Sequence, residues 1–170
     1  MGDNIGGTGR AATSQPSQRE NCDQQKQLSV KLLFAGGCVC GAVRYEVTAA
    51  PLKMFKCHCR DCQHVAGGAF LPGVLVPAAA FRLTRGELKY HFTLSLAGGQ
   101  HKRGYCADCG SRITGGEFDQ RPSGFVGITA GSLDDSGWFR PQMDFFVCDA
   151  PAWDQMDPAI PKFDQYPPKK

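Results

Sequence analysis

Apolar and polar residues alternate over several short stretches of this chain, as they do in strands that turn one face toward a core. In AVRYEV, for example, Val43, Tyr45 and Val47 alternate with polar residues. Glycine-rich connections such as AGGCVCG and TGGEF separate these stretches, so we predict an all-β domain. The predicted strands cover residues 28–34, 42–47, 69–76, 87–94, 111–114, 125–133 and 142–147.

Helical patterns are short, and we predict only two helical turns, over residues 60–65 and 77–81. A chain of 170 residues, 42% of them hydrophobic, is long enough to bury one core of its own. No internal repeat is visible. We therefore expect a single domain over residues 28–166, followed by a frayed basic end at 167–170.

The first 27 residues are rich in glycine, serine and glutamine and are predicted to form a disordered tail, residues 1–27. This segment lacks the apolar stretch of a secretory signal peptide. Elsewhere no apolar run reaches the roughly 20 residues that a membrane helix needs. We expect a cytoplasmic protein that does not enter membranes.

The formal net charge of +3 is small for a protein that binds nucleic acid. The strongest basic run outside the chain ends is HKR at residues 101–103. A nucleic-acid partner is therefore not expected, whereas acidic small molecules would be attracted weakly.

Nine cysteines lie in this chain. Because the cytoplasm keeps thiols reduced, they indicate metal or catalytic sites in preference to disulfides. We interpret Cys22 as a free thiol in the tail and Cys148 as a buried thiol. The other seven form three clusters: Cys38 with Cys40, Cys57 with Cys59 and Cys62, and Cys106 with Cys109.

The spacing within these clusters predicts two zinc sites. The CxC pair and the CxxC pair together supply the four thiolates of a closed structural zinc. The middle cluster supplies three, which suits a zinc that keeps one position for water or substrate. The alternative is a second closed site completed by His58, His64 or Cys148. Of these, His58 lies between two ligands, so its side chain is expected to point away from the metal.

The segments GGCVCGAVRYEV, KCHCRDCQHVAGGAF, RGYCADCGSRI and PAWDQMDPAIPKFDQYP resemble the glutathione-dependent formaldehyde-activating enzyme family, which includes centromere protein V. The resemblance covers residues 30–166. It implies a zinc-containing sheet of the β-tent type, with glutathione entering at a catalytic zinc. The implied ligands are Cys38, Cys40, Cys106 and Cys109 for the structural zinc, and Cys57, Cys59 and Cys62 for the catalytic one.

The activity that the resemblance implies is that of a carbon–sulfur lyase. A thiol adds to formaldehyde to give S-(hydroxymethyl)glutathione or a similar adduct, and the reverse step breaks the carbon–sulfur bond. Zinc would deliver a thiolate at neutral pH, where a free thiol of pKa about 8.5 is mostly protonated. Two alternatives remain: a non-catalytic zinc scaffold for a protein or nucleic-acid partner, and a redox sensor whose thiols release zinc on oxidation.

Glutathione carries two carboxylates and one ammonium group, so its site should offer cations or backbone donors. Gly67 and Gly68 either let a peptide approach the backbone or simply form a turn. Asp61 is expected to accept hydrogen bonds from backbone amides. The candidate cations, each of which could instead be a solvated surface residue, are Lys56, Arg60, Arg103 and Arg112.

Neither His91 nor His101 lies in a cysteine cluster, and neither is expected to bind metal. Aromatic residues concentrate in the last third of the chain, where we expect them to form the core and its C-terminal cover. They are Trp138, Phe139, Phe145, Phe146, Trp153 and Phe163.

Overall fold

The computed structural model describes residues 34–96, 98–118 and 124–168. These residues form eleven strands and one α-helix. None of their helices has the length and apolar character needed to cross a membrane. The elements are β1 (Phe34–Gly37), β2 (Arg44–Val47), β3 (Lys53–Cys57), α1 (Arg60–Ala66), β4 (Leu71–Pro77), β5 (Phe81–Arg85), β6 (Lys89–Leu94), β7 (Gln100–Tyr105), β8 (Arg112–Phe118), β9 (Phe125–Thr129), β10 (Asp144–Phe145) and β11 (Lys162–Phe163).

The strands belong to two sheets. The small sheet has the order β1-β2-β5 and is antiparallel. The large sheet has the order β11-β10-β3-β4-β9-β8-β7-β6. Its pairs are antiparallel except at one end, where β10 lies parallel to both β3 and β11.

The all-β prediction is confirmed, and both short helical turns occur. Helix α1 occupies the first, and a 3-10 turn, Ala78–Ala80, occupies the second. The predicted strand at 125–133 ends at Thr129, where another 3-10 turn begins, and the one at 142–147 shortens to β10. The predicted tail, residues 1–27, and most of the first predicted strand lie outside the described residues.

Strands β3, β5, β7 and β11 were absent from the sequence prediction. Strand β7 shows why, since its sequence QHKRGY has no alternating apolar residues. It is instead held by backbone hydrogen bonds to β6 on one side and β8 on the other. The neighbouring strands and the turns that join them set this pairing, so the apolar pattern of β7 alone does not reveal it.

The main core lies between the sheets and is built from the alternating residues of β2, β4, β8 and β9. Tyr45 is fully buried, and its hydroxyl lies 2.9 Å from Ser132 Oγ. Each buried aliphatic side chain stabilises the fold by about 1.5–3 kcal/mol. Two of the cluster cysteines, Cys38 and Cys106, belong to this core. Its other aliphatic members that are almost completely buried are Val47, Val74, Val76, Ile113 and Ile128.

A second, smaller cluster contains Cys57, Cys62 and Phe146, with Phe145 packed against it. Trp138 and Phe139 pack against the main core, as expected. The expectation for Trp153 is wrong, because 70% of this residue is exposed. Each of the two cores thus contains cysteines, which places two separate thiol clusters inside one domain.

The absence of a side chain at Gly36 on β1 leaves room for the contact between Tyr45 and Ser132. A Cβ atom at this position would overlap the Ser132 carbonyl oxygen and the Tyr45 hydroxyl. We expect Gly36→Ala to lower the free energy of unfolding by about 1–3 kcal/mol, because neither group can move easily. Urea denaturation of the metal-loaded protein measures the change. Gly131→Ala is the matched control, since a Cβ there meets no atom within 4 Å; equal stabilities of the two variants would contradict this packing.

Candidate metal centres

Four cysteines from two turns converge beside the main core. Cys38 and Cys40 lie between β1 and β2, and Cys106 and Cys109 lie between β7 and β8. Their four sulfur atoms all lie within 4.8 Å of one another, and none is in a disulfide. This set of donors could hold one metal ion.

Both turns are shaped to direct their sulfurs inward. Gly41 and Gly110 have positive φ angles of 77° and 73°, which other residues rarely adopt. The Gly110 amide donates to the Cys106 carbonyl oxygen over 2.9 Å, which closes the second turn around its pair of thiols. The local sequence of each turn thus positions its own pair of thiols independently of the other turn.

Ser111, which sequence reasoning missed, supports the second pair. Its Oγ lies 3.3 Å from Cys109 Sγ, and it accepts a hydrogen bond from the Val39 amide over 3.2 Å. Contact with the Ser111 hydroxyl and backbone amide lowers the pKa of Cys109 to about 6. These contacts favour a thiolate, the form that binds metal.

The middle cluster lies where β3 meets α1. Cys57 ends β3, Cys59 precedes the first residue of α1, and Cys62 lies in its first turn. Cys59 and Cys62, three residues apart, therefore face the same side. The three sulfurs also lie within 4.8 Å of one another and could hold a metal ion.

The three proposed candidates for a fourth ligand all have other partners. The ring nitrogens of His58 lie 3.2 Å from Asp144 Oδ1 and 3.0 Å from Asp154 Oδ2, so His58 points away as expected. His64 Nε2 lies 3.5 Å from Arg60 Nη2. Cys148 is exposed and its thiol donates to the Asp164 carbonyl oxygen, so the prediction of a buried thiol is wrong.

Within the described ranges, no fourth His, Cys, Asp or Glu ligand atom joins the group formed by Cys57, Cys59 and Cys62. Cys22 lies outside those ranges. The described part of the chain therefore offers three thiols at this centre and four at the other.

Arg103 is the cation closest to the middle cluster. Its Nη1 lies 3.8 Å from Cys62 Sγ, and its Nε donates to Thr93 Oγ1 over 2.8 Å. Asp61 was expected to bind backbone amides, but its carboxylate instead lies 3.7 Å from Arg103 Nη2. This buried arginine is thus held at the thiols by partners on two other elements.

The charge of the cluster concentrates on one sulfur. Hydrogen bonds from Cys57 and Cys59, together with the charge of Arg103, lower the pKa of Cys62 to about 3. Contacts with Cys59 and Cys62, and burial, raise the pKa of Cys57. Three thiols this close cannot all ionise without a cation among them, so the cluster is suited to one.

Among the other candidate cations, Arg112 lies on β8, next to the strand that carries Arg103. Its Cα pairs with that of Tyr105 across β7 and β8. Burial, and then the charge of Arg103, lower the pKa of Arg112 to about 9, with the charge of Cys62 acting in the opposite direction. Lys56 instead forms an ion pair with Asp144 at 3.2 Å, and Arg60 is exposed on α1.

A buried ionic network fixes the back of the middle cluster. Asp144 on β10 is fully buried and contacts both Lys56 and His58. The Gln63 side chain donates to the His58 carbonyl oxygen and, over 2.9 Å, to that of Asp149. Sequence reasoning missed this network; the only local signal is an acidic residue within the apolar run that contains β10.

Aromatic residues cover the middle cluster. The ring centroid of Tyr166 lies 4.8 Å from that of Phe146 in an edge-on arrangement. Its hydroxyl lies 3.0 Å from His101 Nε2 and 3.4 Å from Ser95 Oγ. Burial raises the pKa of Tyr166, and the nearby cluster thiols act in the same direction. The C-terminal segment therefore lies close over the three thiols.

Comparison with known proteins gives a family match over residues 33–149, to the model of the glutathione-dependent formaldehyde-activating enzyme. The chain belongs to this family. Among solved structures it is similar to a crystal structure of a Rhodobacter sphaeroides protein, with 19% sequence identity and a TM-score of 0.48. That similarity covers 76% of this chain and 99% of the other.

The match to the formaldehyde-activating enzyme family includes all seven clustered cysteines, together with Arg103, Arg112 and Asp144. Asp154 and Tyr166 follow the matched segment. In this family member, one of the two carboxylate partners of His58 and the tyrosine of the aromatic cover therefore come from chain beyond the family match.

Removing the charge of Asp144 should destabilise the protein. Asp144→Asn leaves Lys56 and His58 buried without their shared carboxylate, so we expect the free energy of unfolding to fall by about 3–5 kcal/mol. Urea denaturation followed by circular dichroism measures it. Asp164→Asn, which neutralises an exposed aspartate, should change stability by less than about 0.5 kcal/mol. Similar values for both variants would show that the network does not stabilise the fold.

Proposed function

We propose that this protein is a zinc-dependent carbon–sulfur lyase that forms or cleaves the adduct of formaldehyde with glutathione or a similar thiol. The observation that carries the proposal is the middle cluster, in which Cys57, Cys59 and Cys62 have no fourth protein ligand among the described residues. Membership of the formaldehyde-activating enzyme family supports the reaction class.

The donor sets fit zinc at both centres. Clusters composed only of thiols favour zinc over magnesium or calcium, which prefer oxygen ligands. Cys38, Cys40, Cys106 and Cys109 provide the four ligands of a closed structural site. Cys57, Cys59 and Cys62 provide three, which leaves room for an external thiol. Bound there, zinc would keep the thiol of the substrate deprotonated at neutral pH.

The reaction itself requires little from the protein beyond binding and orientation. The thiol loses its proton, its sulfur forms a bond to the carbonyl carbon of formaldehyde as the carbon–oxygen π bond breaks, and the oxygen takes up a proton. Cleavage reverses each of these changes. Arg103 supplies a positive charge beside the sulfurs, which favours an anionic thiolate at this position.

The aromatic cover contributes by excluding water. Phe145, Phe146 and Tyr166 pack against one another over the thiols. Exclusion of bulk water strengthens the interaction between Arg103 and the thiolate, because the local dielectric constant falls. The cover must admit the substrate, and we place the entry at the C-terminal segment that carries Tyr166.

Metal content and thiol binding test the open site. We expect two zinc ions per chain in the wild type and one in Cys59→Ser, because two thiols hold zinc poorly. Isothermal titration should detect glutathione binding to the wild type and none to Cys59→Ser. Cys148→Ser is the matched control, since this exposed thiol is outside both clusters, and it should behave as the wild type. Two tightly held zinc ions without thiol binding would refute the proposal and favour a structural scaffold.

Catalysis is best measured at equilibrium, because thiols add to formaldehyde without an enzyme. Exchange NMR with ¹³C-formaldehyde and glutathione gives the rate at which free and adduct carbons interconvert. We expect the wild type to raise this rate in proportion to protein concentration, and Cys59→Ser to leave it at the spontaneous value. Wild-type protein that binds glutathione without raising the rate would show a thiol-binding protein that is not a lyase.

A further inference from the structure

The guanidinium group of Arg112 lies inside the protein without a partner in the part of the chain that the structure describes. Its Nε, Nη1 and Nη2 atoms are all buried, and none has a hydrogen-bond acceptor among the residues that the structure describes. A buried cation without hydrogen bonds is costly, so natural proteins rarely keep one unless something binds to it. Arg112 therefore needs an explanation that its present neighbours do not supply.

The sheet is built to hold this side chain in place. The register between β7 and β8 shifts near Gly104 and Tyr105, which brings Arg112 opposite Tyr105. Gly115 leaves room for the guanidinium, since a Cβ atom there would lie 2.9 Å from Arg112 Nη2. Any larger residue at position 115 would have to displace the Arg112 guanidinium.

The surroundings of Arg112 are cationic and adjoin the thiols. His91 on β6 pairs with Arg103 on β7, and burial, followed by the charges of Arg112 and Arg103, lowers the pKa of the His91 ring. Its centroid lies 5.9 Å from that of Tyr105. Asp61 is the carboxylate nearby, and it pairs with Arg103. Asp61 thus serves Arg103, and Arg112 has no carboxylate partner of its own among the described residues.

We propose that Arg112 binds a carboxylate of the thiol substrate while the sulfur of that substrate lies at Cys57, Cys59 and Cys62. The proposal rests on the proposed function, because it requires a thiol at the middle cluster. Two parallel N–H donors of a guanidinium match the two oxygens of a carboxylate. Glutathione, the thiol in the name of the family, carries two carboxylates.

The other cations near the cluster have partners of their own. Arg103 contacts Thr93, Asp61 and Cys62. Lys56 is paired with Asp144, and its ammonium lies 5.0 Å from the centroid of the Phe70 ring. Of the four cations expected from the sequence to meet glutathione, Arg112 alone has a buried charged group without a hydrogen-bond or ion-pair partner among the described residues.

A comparison of two thiols separates the contribution of the carboxylate to binding affinity from that of the thiol. Glutathione and cysteamine are titrated into zinc-loaded wild type and Arg112→Met. Methionine fills similar space without charge. We expect Arg112→Met to weaken glutathione binding by about 10- to 100-fold. The same variant should weaken the binding of cysteamine, which has no carboxylate, by less than about twofold. Arg82→Met, on the exposed face of β5 in the small sheet, should change neither affinity. Glutathione esterified at its glycyl carboxylate shows which carboxylate is bound. The ester should bind the wild type as weakly as glutathione binds Arg112→Met only if Arg112 holds the glycyl carboxylate.

Stability provides a second readout. Because Arg112→Met removes a buried charge that has no partner, we expect its melting temperature without ligand to equal or exceed that of the wild type. Two results would overturn the proposal. An equal loss of affinity for both thiols would mean that Arg112 only balances the charge of the thiolates, and unchanged glutathione binding would mean that it touches no substrate.

An NMR titration separates this proposal from the proposed function. N-acetylglycine, a carboxylate without a thiol, is added to ¹⁵N-labelled protein while the arginine Nε–H signals are followed. The Arg112 signal, assigned by its loss in Arg112→Met, should shift on addition. If the wild type binds no thiol but this signal shifts, the proposed function fails and the carboxylate site stands. If thiols bind and the signal does not shift, the carboxylate site fails alone.

Discussion

The convergence of four sulfur atoms from two distant turns is the contact on which this architecture depends. It links the β1–β2 turn of the small sheet to the β7–β8 turn of the large sheet, and Cys40 and Cys106 are 66 residues apart. Structural zinc in small peptides is worth about 10–16 kcal/mol, whereas whole domains are stable by about 5–15 kcal/mol. The aliphatic core between the sheets also holds them together, but it spreads its contribution over many side chains. A metal at this centre would therefore add, in one contact, a contribution comparable to the stability of a whole domain.

The two thiol clusters differ in their electrostatic surroundings, and the difference fits different roles. The four-cysteine centre is partly exposed at Cys40 and is surrounded by hydroxyl and backbone groups. At the three-cysteine centre, Cys57 and Cys62 are buried and Cys59 is half-buried; the centre lies under aromatic rings and faces Arg103. Burial makes charges interact strongly, so an arginine placed there affects the sulfurs far more than one at the surface. The first centre is suited to hold the fold and the second to hold a charged guest.

The sequence predicted those features that depend on neighbours in the chain. The CxC and CxxC spacings place pairs of thiols together whatever the rest of the protein does, and the glycines that shape their turns are adjacent. Residues that act over long distances remained hidden. Asp144 meets His58 across 86 positions, and Tyr166 reaches His101 across 65. Trp153 and Cys148 were misplaced for the same reason, because apolar character alone does not say which residues a C-terminal segment will cover.

The small size of β10 has a consequence for motion. This two-residue strand forms the rear wall of the three-cysteine centre, and β11, the strand at its outer side, also has two residues. Regions with so few backbone hydrogen bonds open locally at lower free energy than a central pair such as β4 and β9. This edge of the sheet should therefore exchange its amide protons first, while the main core stays closed. The anchoring of His58 and Lys56 would then fluctuate independently of global unfolding, and the three-cysteine centre could loosen and re-form within an otherwise intact molecule.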